Sequence, residues 1–178
     1  MPNVNKTIFA ISGSLRSGSS NHNILLFLQN LTPAGIDFII YDELAQIPPF
    51  DPANDNENVV DTIIDFRKQI ETADAVIICT PEYAHGIPGQ LKNALDWTVS
   101  SGSFSNKPTS LITASTDGIN GHAALLEVLK TIDASLTDDT TLLISFVRSK
   151  IDNVGNIVDA NTADELKAVF NTLLSRID

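Results

Sequence analysis

Along this chain, short apolar runs rich in β-branched residues alternate with longer segments of helical period. No other feature constrains the fold as tightly. The clearest run, AVIIC at Ala75–Cys79, contains no polar position at all. An uninterrupted apolar run suits a strand of a parallel sheet that helices cover on both faces. Thr7–Ile11, Ile36–Tyr41, Thr109–Ala114 and Thr141–Val147 read as four further strands. The intervening segments predict helices. One runs from Asn23 through Ile24, Leu25, Phe27, Leu28 and Leu31, and Pro33 and Gly35 close it. A second carries Val59, Ile63, Phe66 and Ile70 on one stripe. Gln90–Val99 is short, and another helix lies around His122–Ala134. A last one starts near Ala163, with Leu166, Val169 or Phe170, Leu173 and Ile177 as its stripe. The segment IPPFDPANDNEN is dense in turn residues, and Asn153–Asn156 marks a tighter turn.

This alternation predicts an α/β doubly wound three-layer sandwich, with helices on both faces of one sheet. Five strands suggest the flavodoxin-like order 2-1-3-4-5, within a single domain spanning residues 1–178. In such sheets a ligand lies beyond the carboxyl ends of the strands, beside the switch between strands 1 and 3. Residues with chemistry to perform should therefore follow strands 1, 3 and 4.

Composition removes other classes. One cysteine, Cys79, allows no intramolecular disulfide, which excludes a disulfide-built secreted scaffold. No apolar run approaches the ~20 residues of a membrane span. The N-terminal MPNVNKTIFAISGS has too short an apolar stretch for a signal peptide, so a cytoplasmic protein is expected. Eleven Lys+Arg against 22 Asp+Glu give a net charge of −11 with no basic cluster, which argues against nucleic acid as a partner.

The three expected loops are all unusual. After the first strand stands Ser12-Gly13-Ser14-Leu15-Arg16-Ser17-Gly18-Ser19-Ser20-Asn21, with two glycines, five serines and an arginine leading into a helix. Glycine lets backbone N–H groups approach a ligand, serines donate hydroxyls, and a helix N-terminus favours negative charge. Arg16 can make a bidentate contact to phosphate oxygens. An ordinary helix cap needs only one such residue. Gly13 and Gly18 have P-loop spacing, but Ser19-Ser20 follow where that motif needs Lys-Ser/Thr, which argues against an NTPase. The dinucleotide fingerprint G-x-G-x-x-G is absent as well. A loop for one small phosphate, such as that of a mononucleotide, remains. After the third strand, Pro81, Gly86, Pro88 and Gly89 stiffen a wide turn in which Tyr83 can pack against a flat ring. After the fourth strand comes Ser115-Thr116-Asp117-Gly118-Ile119-Asn120-Gly121, a third small-residue loop.

Two of these segments, GSLRSGSSN and PEYAHGIPGQLKNALDW, resemble the NADPH-dependent FMN reductase family, flavodoxin-like flavoproteins that include quinone, chromate and azo-dye reductases. The resemblance spans essentially the whole chain. It implies a non-covalent FMN, with NADPH or NADH as electron donor and a quinone, flavin, azo dye or metal oxyanion as acceptor. It places the phosphate at Ser14, Arg16, Ser19, Ser20 and Asn21. The isoalloxazine would lie against Pro81, Glu82, Tyr83 and Ala84, with Ser115 and its neighbours closing the third side. It also implies a homodimer or homotetramer. Two positions depart from the family pattern: Ala84 stands where asparagine is usual, and Asn120-Gly121 replaces a Gly-Gly pair. The alternative on the same fold is a flavodoxin-type electron carrier without nicotinamide turnover of its own, whose phosphate loop lacks the L-R-x-x-S-x-N pattern.

The cofactor carries the chemistry in such an enzyme, so no side chain is assigned a catalytic role. An acidic chain repels an anionic donor at long range. At a Debye length of ~8 Å, the local field of Arg16 and the loop amides dominates. Lys107 and Arg148 are candidates for the 2′-phosphate of NADPH, though no motif marks either. His22, His85 and His122 fall in separate loops without ligand-type spacing, so no metal is expected and polar loop roles are. Cys79 reads as an inert core thiol, and Trp97 as a packing residue or an element of a dimer contact.

Overall fold

In the computed structural model, which describes residues 5–177, five parallel strands stand in the order β2-β1-β3-β4-β5, as the alternation predicts. They are β1 Lys6–Ser12, β2 Ile36–Tyr41, β3 Ala75–Thr80, β4 Thr109–Ala114 and β5 Thr141–Ile144. The helices are α1 Ser20–Asn30, α2 Asp61–Thr72, α3 Gly89–Asp96, α4 Ile119–Thr131 and α5 Ala160–Leu174. Residues 1–4, the start of the N-terminal stretch considered above, lie outside the described residues.

The two-residue period of the central strands divides the core in two. Ile8 and Ala10 of β1, with Ala75, Ile77 and Cys79 of β3, face α1 and α5, packing with Leu25, Leu28, Leu166 and Phe170. Phe9, Ile11, Val76 and Ile78 face the opposite layer, among Ile63 and Phe66 of α2, Leu91 of α3 and Leu125 of α4. Every residue of β3 and β4 is buried, whereas the edge strands β2 and β5 are partly open. The register pairs Ser12 with Cys79, Thr80 with Thr113, and Ala114 with Ile144, so four strands end along one edge.

Several boundaries differ from the periodicity reading, each for a local reason. α1 begins at Ser20 rather than Asn23, because Ser19 caps it by accepting from the His22 N–H at 3.2 Å. α4 starts at Ile119, three residues before His122, because left-handed Gly118 (φ 94°) turns the chain into the helix. Asp159, accepting from the Thr162 N–H at 2.9 Å, starts α5 ahead of Ala163. β5 stops at Ile144 rather than Val147, because Phe146 takes a left-handed conformation (φ 54°) and the strand peels away. Trp97 is internal. Its indole N–H donates to the Pro48 carbonyl at 2.9 Å, and its ring meets Phe50 edge-on at 5.0 Å.

Candidate active site

The carboxyl edge carries the β1–α1 loop. Its geometry starts from Gly13, whose N–H donates to the Cys79 carbonyl at 2.8 Å and carries the β1–β3 ladder one step past the strand. A Cβ at Gly13 would stand 2.2 Å from Thr80 Oγ1, so only glycine passes here. Ser12 Oγ then folds the loop onto itself, donating to the Ser14 carbonyl at 3.1 Å. A turn closed by Ser19 N–H to Arg16 O (3.2 Å), with Gly18 left-handed at φ 65°, delivers Ser19 to its capping position. The loop buries Ser14 and Ser19 and leaves Arg16 exposed.

Asn21 is buried in the first turn of α1. Its amide nitrogen donates to the Ala114 carbonyl at 3.3 Å, and its oxygen accepts from the Cys79 thiol at 3.4 Å. It therefore ties α1 to the ends of β3 and β4, and its second amide hydrogen has no partner among the described residues. Burial pushes the Cys79 thiol well above its ordinary range, which keeps it protonated and unreactive.

The loop after β3 is built differently. Tyr83 and Gly86 exchange two backbone hydrogen bonds, at 3.1 and 3.0 Å, across a two-residue turn. The turn residues Ala84 and His85 both have positive φ, 49° and 58°. That is type I′ geometry, which favours glycine or asparagine. The loop is pinned on two further sides. Ser115 Oγ accepts from the Glu82 N–H at 3.2 Å, and the Glu82 carboxylate accepts from the Gly121 N–H at 2.6 Å. Gly121 permits this approach, since a Cβ there would lie 3.1 Å from the Glu82 side chain and 3.2 Å from the Gly86 carbonyl. His85 Nδ1 lies 3.5 Å from Glu82 and 3.2 Å from Asn120 Nδ2.

Between these loops lies a cavity of about 440 Å³, within the size range of small-molecule sites. Ser14, Arg16, Ser19, Ser20, Asn21, Pro81, Glu82, Tyr83 and Ser115 line it, so nine residues singled out from the sequence meet at one place. Ala84 does not line it and instead forms the exposed tip of the turn. Ala114 and Thr116 join Ser115 as the neighbours expected to close the third side, Arg148, a candidate only for the 2′-phosphate of NADPH, lines this cavity as well, and Val147 was missed. Val147 and Arg148 enter only because β5 ends early, and no sequence signal announced that.

Lys107 stands at the opposite end of β4 and donates to the Glu71 carbonyl at 2.9 Å and to the Ala73 carbonyl, so it is remote from the cavity. The three histidines are separately engaged. His22 lines a smaller cavity of about 180 Å³ on the β2 side of the β1 loop, His85 meets Asn120, and His122 Nδ1 lies 2.9 Å from Thr113 Oγ1. Burial holds the His122 imidazole below its ordinary pKa. Among the described residues, no helix is long and apolar enough to cross a membrane.

A parallel sheet in this order, with an arginine- and serine-bearing βα loop and a braced second loop at its switch point, defines a flavodoxin-like protein of the mononucleotide-binding class. Residues 7–147 match the model of the NADPH-dependent FMN reductase family, and the chain belongs to that family. It is 31% identical to a quinone reductase of Escherichia coli, with 96% of each protein covered. It is 32% identical to an NAD(P)H-dependent FMN reductase of Pseudomonas aeruginosa, over 93% of this chain and 92% of that one. The fold superposes on the flavoenzyme NAD(P)H:(acceptor) oxidoreductase FerB of Paracoccus denitrificans with a TM-score of 0.76, 25% identity and 97% of each chain covered. The chain is thus an oxidoreductase, an NAD(P)H-dependent flavoenzyme that works with FMN.

Proposed function

We propose that this protein is a quinone reductase whose FMN sits in the 440 Å³ cavity, phosphate toward the β1 loop and ring toward the β3 loop. One observation carries the reading. An arginine without a protein partner among the described residues and a capped helix N-terminus face one end of the cavity, and a self-braced turn with exposed Tyr83 faces the other. FMN, when bound, supplies the redox chemistry, taking hydride from a nicotinamide and passing electrons to the acceptor.

The residues have plain tasks. Arg16 neutralises a phosphate. The hydroxyls of Ser14, Ser19 and Ser20, and the second amide hydrogen of Asn21, donate to its oxygens. The fit is chemical as well as spatial, because α1 presents unpaired N–H groups and the first turn of that helix carries no acidic side chain. Pro81, Glu82 and Tyr83 form a flat wall held by Ser115 and Gly121, so the ring surface is set before any ligand arrives. No residue is required as a general base.

The quinone is favoured as acceptor by the relatives named for it, the E. coli enzyme above and a 2-hydroxy-1,4-benzoquinone reductase of a Burkholderia species that is 32% identical over 92% of both chains. Homodimer or homotetramer formation belongs to the same proposal, supported by exposed Leu15, Tyr83 and Ile119 along the site edge.

The test is to titrate the purified protein with FMN, add NADPH or NADH without oxygen, and then supply benzoquinone. A visible flavin band that bleaches with nucleotide and returns faster with benzoquinone than with free flavin or an azo dye supports the proposal. Bound flavin that no nucleotide bleaches would instead indicate a carrier. Faster recovery with the other acceptors would overturn the quinone assignment.

A further inference from the structure

The only Asn-Gly pair in the chain, Asn120-Gly121, sits in the first turn of α4. In such a pair the backbone nitrogen after the asparagine can attack the side-chain amide, because glycine brings no Cβ to crowd the ring that forms. The nitrogen is also free of the helix ladder. The first four N–H groups of a helix have no intrahelical acceptor, and Gly118, the N-cap, has no side chain to supply one.

The Gly121 N–H instead donates to the Glu82 carboxylate at 2.6 Å. The other Glu82 oxygen lies 3.5 Å from His85 Nδ1, and that same nitrogen lies 3.2 Å from Asn120 Nδ2. These contacts form a circuit that runs from the Gly121 nitrogen through Glu82 and His85 to the Asn120 amide. The Glu82 side chain is 7% exposed, whereas His85 and Asn120 are open to water. Attack requires a change of ψ at Asn120, so the start of α4 must unwind. That breaks the bond of 2.9 Å from the His122 N–H to the Gly118 carbonyl, and the residues that swing, Ile119 and Asn120, are both exposed.

We propose that Asn120-Gly121 is a self-deamidating site, with Glu82 and His85 as its proton relay. The Gly121 nitrogen bonds to Asn120 Cγ and gives up its proton to Glu82. The Cγ–Nδ2 bond breaks, and Nδ2 takes a proton from His85 Nδ1 and leaves as ammonia. Glu82 then returns its proton to His85. One proton has moved from the Gly121 nitrogen to Nδ2, and nothing is oxidised or reduced. Water opens the resulting succinimide at either carbonyl, which leaves aspartate or isoaspartate at position 120. Aspartate brings a second carboxylate to His85, and isoaspartate adds a main-chain carbon just before Gly121. Either product weakens the Glu82–Gly121 brace of the ring wall, so conversion lowers flavin affinity. That consequence, unlike the deamidation itself, rests on the flavin placement proposed above.

The experiment incubates the purified protein, with and without FMN, at neutral pH and follows Asn120 by peptide mass spectrometry, with ammonia release as a second readout. Asn120 should convert ahead of every other asparagine in the chain. Glu82→Gln and His85→Gln should each slow conversion about tenfold or more, a modest share of what positioned acid–base groups contribute. A Glu82 that served only as a brace predicts the opposite sign, because a loosened turn reacts faster. Equal or faster conversion in either variant therefore overturns the relay. So does a native protein that keeps Asn120 intact while the same chain unfolded in guanidinium converts, since the fold would then protect the pair. Asn120→Gln enlarges the ring that must form and sets the baseline of ammonia release. The converted protein, separated by anion exchange, should bind FMN about three- to tenfold more weakly than fresh protein. Unchanged affinity overturns the coupling to the ring wall. Fresh protein that takes no FMN, yet converts at Asn120 through Glu82 and His85, would refute the flavin placement and uphold the deamidation site.

Discussion

The β1 and β3 loops face each other across one cavity and are stabilised in opposite ways. The β1 loop leaves its strongest group uncommitted, since Arg16 is exposed and meets no protein acceptor among the described residues. Its rigidity comes from below, where Gly13 is pressed against Thr80 and Ser19 caps α1. The β3 loop commits nearly everything. Its backbone pairs Tyr83 with Gly86, and Glu82 is bound at both its N–H and its carboxylate. The contrast fits the proposed placement of the FMN phosphate at the β1 loop and its ring at the β3 loop. A phosphate brings its own charge and orders an arginine on arrival, while a flat ring offers few hydrogen bonds and needs a surface already in place.

Gly13→Ala should break the β1 loop most severely. The new Cβ meets buried Thr80, which has no room to move, so stability should fall by about 3 kcal/mol and Tm by roughly 6–12 °C in thermal unfolding. Arg16→Ala should leave apo stability almost untouched yet raise the FMN dissociation constant about 10–100-fold, as expected for a lost charge-assisted contact of about 1.5–3 kcal/mol. That split between folding and binding is the signature of an uncommitted residue, and a destabilised apo protein would contradict it.

The β3 loop should answer in the other direction. Ala84 occupies a left-handed turn position (φ 49°) without the side chain that suits it. Ala84→Gly should therefore stabilise the protein by about 0.5–1 kcal/mol, the relief of strain less the added chain entropy. Unfolding in denaturant reads this directly, and a loss of stability would show that the turn is not held as described.

The smallest effect lies on α4, whose first turn receives Glu82. Burial lowers the His122 pKa, so on acidification the unfolded chain takes up the proton first. Stability from this residue is complete above the ordinary histidine range near about 6.5 and declines as pH falls from there through the lowered folded value. His122→Asn should flatten the dependence of stability on pH over that interval. An identical slope in the two proteins would remove His122 from the account.

The resemblance to the family left two substitutions unexplained, and the turn geometry accounts for one. The usual asparagine at position 84 would tolerate the left-handed conformation, which makes Ala84 a backbone substitution as much as a lost side-chain amide. Gly121, by contrast, keeps the close approach that the Glu82 bond demands.

The sequence by itself determined the strands, their order and the loops that carry chemistry. Those follow from local signals: unbroken apolar runs, helical stripes, and glycine and serine clusters at strand ends. Ser14 through Asn21 and Pro81 through Tyr83 were legible because each loop is contiguous and its residue types match a ligand's chemistry. The fourth wall was not legible. Val147 and Arg148 reach the cavity because Phe146 turns left-handed and the β5 segment bonds to carbonyls of the β4 loop some thirty residues away, at Thr116 and Ser115. Which arginine is left without a partner was equally hidden, since Arg67 and Arg176 look no different along the chain until Asp55 and Ser135 are brought to them. Local pattern decides what a segment becomes. Pairing between distant segments decides which groups remain free to bind, and only the tertiary structure supplies that.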